Sequence, residues 1–127
     1  MNNIKWDEIF EIVESDCTGY GKLLDSQGRT CILGALGRAA GVSDEDLLER
    51  KYEVLYVAIM ERFGLDLSSG GPASVYKGTL YRFGTSLHLS NDSVKEDSPL
   101  AIKKRRQAVR TELERIKLVL ETKEKGT

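Results

Sequence analysis

The sequence predicts a mainly α protein: a single domain, residues 1–127, of four to five helices with room for one short β-hairpin. Three observations carry this. Apolar residues recur at helical spacing in three stretches: Trp6, Ile9, Phe10, Val13 and Cys17; Leu48, Tyr52, Leu55, Ile59 and Phe63; and Ile102, Val109, Leu113, Ile116 and Leu120. Glycine-rich and polar clusters punctuate the chain between them. A length of 127 residues suits one domain that can bury a core without disulfides or a metal.

The first helix is predicted over about Asn3–Ser15. Asp7 and Glu8 lie at its N-terminus, where the helix dipole favours negative charge. Gly19-Tyr20-Gly21 breaks it. Lys22-Leu23-Leu24 and Arg29-Thr30 flank the turn Asp25-Ser26-Gln27-Gly28, and would be the arms of the hairpin. Thr30 is the expected N-cap of a short apolar helix over Cys31–Ala40, ended by Gly41. Gly34 and Gly37 inside that helix cost about 1 kcal/mol each relative to alanine, so they predict close packing and a central position.

Ser43 caps a third helix, expected to run unbroken over 44–63 and to stop at Gly64. Pro72 suits the first turn of a further helix over Ala73–Phe83. Thr85-Ser86-Leu87-His88-Leu89 alternates and predicts a strand, and Ser90-Asn91-Asp92-Ser93 a turn. The last helix is expected over Leu100–Thr122, with residues 122–127 a frayed tail. Spacing from Ile102 puts Arg106 on its inward stripe, while Lys103, Arg110 and Lys117 line a solvated face.

Hydrophobic residues make up 40% and charged residues 31%, the balance of a soluble globular protein. No signal peptide or membrane span is evident, which predicts a cytoplasmic protein without membrane partners. Two cysteines make no secreted disulfide framework. The net charge of −1 is uneven. Residues 1–102 carry 10 basic and 16 acidic side chains, and residues 103–127 carry 9 and 4. The basic C-terminal helix could meet an anionic partner or pack across the acidic body.

Chemistry-bearing constellations are sparse. Cys31 with His88, the imidazole oriented by Asn91 or Asp92, would make a thiol hydrolase, but a buried small thiol is the preferred reading of Cys31. One histidine and two cysteines do not make a zinc site, and no P-loop, dinucleotide or calcium-loop pattern occurs. No catalytic residue, metal or cofactor is therefore assigned. A polar set stands out instead. Arg29 precedes the glycine-bearing helix, whose N-terminal amides favour an anion. Asn91 and Asp92 sit in a turn, and Arg105 and Arg106 close the run Lys103-Lys104-Arg105-Arg106. These five predict a pocket for a small anionic ligand, or alternatively an internal Arg106–Asp92 ion pair.

Three pieces occur together: Gly28-Arg29-Thr30-Cys31-Ile32-Leu33-Gly34-Ala35-Leu36 with Arg38-Ala39-Ala40-Gly41, then Leu89-Ser90-Asn91-Asp92, then Val109–Leu120. In that order they resemble a family of small uncharacterised proteins of phages, prophages and actinobacteria, with a Cys-x-x-Gly-Ala-Leu helix and a later Asn-Asp turn. Where that pattern carries tryptophan before Asn-Asp, this chain has Ser90. The resemblance implies a phage setting rather than a chemistry. The expected function is a non-enzymatic accessory protein acting by binding, against a host defence system, on a host protein or a nucleotide signal in the host cytoplasm. Nucleic-acid binding through the basic last helix is the alternative and a small Cys/His hydrolase the third. Leu118 and Val119, beyond what one core needs, predict a homodimer.

Overall fold

The computed structural model describes residues 3–70, 75–76 and 79–125. Its elements are α1 (Trp6–Asp16), α2 (Ile32–Ala39), α3 (Asp44–Leu48), α4 (Tyr52–Phe63), β1 (Val75–Tyr76), β2 (Thr79–Leu80), α5 (Phe83–Asn91) and α6 (Pro99–Lys125). The fold is mainly α, as the apolar periodicity predicts.

Helix α2 is the centre, with α1, α3, α4 and α5 all packed against it. Every residue from Ile32 to Gly37 is buried. The two glycines explain how. A Cβ on Gly34 would lie 1.9 Å from the Leu23 carbonyl oxygen, so the 22–24 segment crosses directly on the helix backbone. A Cβ on Gly37 would lie 2.2 Å from Leu55 Cδ1 and 3.3 Å from Leu47 Cδ2. Around α2 the core gathers Ile9 and Val13 from α1, Ile59 and Phe63 from α4, Phe83 and Leu87 from α5, and Val109, Leu113 and Ile116 from α6.

Several expected boundaries are corrected. The helix expected over 44–63 is two. Ser43 Oγ accepts from the Asp46 amide and starts α3, but Arg50 takes a left-handed φ of +57° and turns the chain into α4. The break has a packing reason. Leu47 and Leu55 close over Gly37 together, and Leu48, on the predicted stripe, is left exposed.

The strand expected at 85–89 is helical. Phe83, Ser86, Leu87, Ser90 and Asn91 are buried at helical spacing, and Asn91 ends α5 rather than sitting in a turn. The helix expected over 73–83 is absent where the chain is described: Val75–Tyr76 pairs antiparallel with Thr79–Leu80. Residues 71–74 and 77–78 lie outside the described residues. The hairpin expected around 25–28 is reduced to isolated bridges, Leu24 with Thr30 and Cys17 with Thr30. Its turn forms, with Asp25 Oδ1 accepting from the Gln27 and Arg29 amides.

Helix α6 begins at Pro99, which needs no amide partner in a first turn, and Ser98 Oγ accepts from the Ala101 amide. The basic α6 packs across the acidic α1: Arg110 pairs with Glu14 at 3.1 Å and lies over the Phe10 ring, and Lys117 lies over Trp6. These contacts put Arg110 and Lys117 half inside the seam rather than on a solvated face. The tail expected to fray over 122–127 is instead helical as far as Lys125, and 126–127 lie outside the described residues. No helix among the described residues is long and apolar enough to cross a membrane.

Candidate functional site

The chain uses each of the five residues expected to form an anion pocket in an internal contact of its own. The end of α5 delivers Asn91, fully buried, to the start of α2. Its Oδ1 accepts from the Ile32 amide at 2.9 Å and from the Cys17 thiol at 3.1 Å. Its Nδ2 donates to the Gly19 carbonyl at 3.1 Å and to Asp92 Oδ1 at 3.2 Å. Asn91 therefore supplies the N-terminal cap of α2 expected of Thr30. The Thr30 hydroxyl instead donates to the Asp16 carbonyl. Asp92 Oδ1 accepts from the Gly21 amide at 2.8 Å, and its Oδ2 lies 3.1 Å from His88 Nε2.

Arg105 and Arg106 take the opposite side of the same 15–21 segment. The inward stripe of α6 runs Ala101, Arg105, Val109, Leu113 and Ile116, so Arg105 rather than Arg106 is the fully buried residue. Its guanidinium donates to the carbonyls of Val94, Thr18 and Glu96, and stacks over the Tyr20 ring at 4.8 Å. Carbonyl oxygens and a ring face, not a carboxylate, compensate the buried charge. Arg106, half-buried, donates from Nε to the Cys17 carbonyl at 3.0 Å. Both cations thus meet the carbonyl end of α1, where a helix dipole favours them. The expected Arg106–Asp92 ion pair is not formed: Asp92 belongs to His88 and Gly21. Arg29 bridges Asp25 and Asp97, at 2.8 Å to each, tying the two loops together. Together the five residues form a polar clamp around residues 15–21 and 92–97.

The thiols fit this reading. Burial pushes Cys17 up to about 12, with Cys31 adding to it, and burial pushes Cys31 up to about 11 against the pull of the Gly34 and Leu33 amides. Cys31 is fully buried, and no hydrogen bond joins it to His88 among the described residues. Of Asn91 and Asp92, the latter is the one that reaches the imidazole.

What the sequence analysis missed lies on α4 and α5. Tyr52 and Tyr56 face His88, Thr85 and Arg82 across a cleft of about 330 Å³ floored by Leu33. A second groove of about 520 Å³ adjoins it, lined by Glu53, Tyr56, Val57, Met60, Glu61 and Arg82 among others. The i, i+4 spacing of Tyr52 and Tyr56 is a readable signal for a shared face, whereas Thr85 and His88 fall in the alternating stretch that predicts a strand and Arg82 in the helix expected over 73–83.

Compared with known proteins, the chain matches no family model, no curated protein and no solved structure.

Proposed function

We propose that the protein is a non-enzymatic accessory protein of phage type that acts by binding a host protein, through the outward face of α4. The observation that carries this is the exposure of Val54 (45%), Val57 (57%) and Met60 (44%) on one helix, with exposed Leu48 close by in sequence on α3. Apolar side chains grouped on one exposed face mark contact surfaces, and methionine adapts to partner shape. Glu53, Glu61 and Asp66 rim the groove beside Val57 and Met60, so the fitting partner carries an apolar ridge with basic residues around it.

Interference with a host defence protein in the host cytoplasm is the setting that the phage resemblance suggests. An anion bound by Arg29, Asn91, Asp92, Arg105 and Arg106 would first have to displace their present partners, so we put the contact on α4 instead. The nucleic-acid alternative loses weight for a related reason: of Lys103-Lys104-Arg105-Arg106, only the two lysines are exposed. A homodimer is the second reading of the α4 face. The expectation that rested on Leu118 and Val119 is halved, since Val119 packs against the core and Leu118 alone stays exposed.

The test is native mass spectrometry of protein purified from host cells, beside the double variant Val57→Asp/Met60→Asp. A host protein carried by the wild type and lost in the folded variant supports the reading. A self-dimer lost in the variant assigns the face to a second copy. A host partner retained by the variant refutes the placement on α4.

A further inference from the structure

We propose that the cleft between α4 and α5 binds a phosphorylated planar ring, of the nucleoside monophosphate class. This goes beyond the α4 docking face and does not rest on it. The cleft's volume of about 330 Å³ falls within the range of small-ligand sites. Its own walls carry rings, a cation and a hydroxyl, while the carboxylates Glu53, Glu61 and Asp66 lie in the adjoining groove that Tyr56 and Arg82 also line. Tyr52 and Tyr56 supply two rings with centroids 6.1 Å apart and planes inclined at 59°, an open angle against which a third flat ring can stack. Arg82 supplies a cation and Thr85 a hydroxyl, and no carboxylate lines this cleft.

Arg82 is free to act. Arg29, Arg38, Arg62, Arg110 and Arg115 are committed to carboxylates and Arg105 and Arg106 to backbone carbonyls, while Arg50, in the turn before α4, shares with Arg82 the lack of a carboxylate partner among the described residues but does not line this cleft. Arg82 has no carboxylate partner among the described residues, and its charge acts on the neighbouring Tyr56 hydroxyl. A guanidinium at the mouth of an aromatic cleft suits a phosphate, which it can hold through two parallel hydrogen bonds.

One further feature is independent of that charge. Gly84 makes room for Tyr56: a Cβ there would lie 2.3 Å from the Tyr56 hydroxyl oxygen. The absence of a side chain on α5 therefore sets one ring of the cleft.

The experiment is isothermal titration of the full chain with adenosine, guanosine and uridine 5′-monophosphates, with adenosine and inorganic phosphate as part-ligands. The variants are Arg82→Gln, Gly84→Val and Val57→Ser/Met60→Ser, each checked for an intact thermal transition. At least one monophosphate should bind saturably, more tightly than either part-ligand. Arg82→Gln should weaken it at least about tenfold, as expected for a lost charge-assisted pair, and bring it to the level of the nucleoside. Gly84→Val should weaken monophosphate and nucleoside alike, and the uncharged Val57→Ser/Met60→Ser should leave binding intact. Should Gly84→Val fail to fold, the exposed Arg82 site still decides. Absence of saturable binding at millimolar monophosphate overturns the proposal, and so does binding that Arg82→Gln leaves unchanged.

Discussion

Asn91→Ala removes the side chain on which three segments converge, and its cost can be worked from the contacts. The substitution orphans the buried Ile32 amide and the buried Gly19 carbonyl, and frees the Cys17 thiol, a weak donor. An unsatisfied buried backbone group costs about 1–3 kcal/mol. Two such groups give about 2–6 kcal/mol, before any cavity contribution. That is a large share of the roughly 5–15 kcal/mol that holds a domain together. Urea unfolding followed by circular dichroism measures it, as a fall in midpoint at unchanged slope. Asn91→Asp is the companion variant. It keeps the acceptor for Ile32 but turns the donor into a second acceptor facing the Gly19 carbonyl and Asp92. The new carboxyl is held protonated in the fold more readily than in the unfolded chain. Its penalty is therefore small in acid and grows as pH rises through the usual carboxyl range near 4. A loss below about 1 kcal/mol for Asn91→Ala, or a pH-independent loss for Asn91→Asp, would refute the account of Asn91 as the hub.

Two more outcomes follow from the clamp. Arg105→Met should destabilise far more than Arg106→Met, because it strips bonds from the Thr18, Val94 and Glu96 carbonyls at once where Arg106 loses its bond to Cys17; equal thermal shifts would count against the assignment of Arg105 as the inward residue. Cys17 and Cys31, pushed up to about 12 and about 11, should label with a thiol reagent at neutral pH only as fast as the fold opens. Unfolded thiols release their protons near pH 8.5 while the folded ones keep them, so stability should fall as pH rises from there; prompt labelling of the native chain would contradict the burial.

The sequence by itself determined the mainly helical class, the central glycine-bearing helix and the capping by Ser43, since periodicity, glycine and cap chemistry act within a few residues. Gly34 and Gly37 announced close packing before any neighbour was known. The five polar residues it singled out each tie segments together, through separate contacts. What they do was not legible, because it depends on partners far away in the chain. Asn91 caps a helix that starts 59 positions earlier, and Arg105 meets a carbonyl 87 positions away. Neighbouring rows of one helix, starting at Ala101 or at Ile102, carry nearly the same apolar pattern, and only packing against α1 and α5 chose the row with Arg105 inward. The same holds at Arg50: the helical pattern runs through it unbroken, and the turn exists because Leu47 and Leu55 must both reach Gly37. Local chemistry decides which elements form; which face is buried, and whether an arginine binds a ligand or a carbonyl, is decided when the elements close on one another and leave each buried polar group a partner to find.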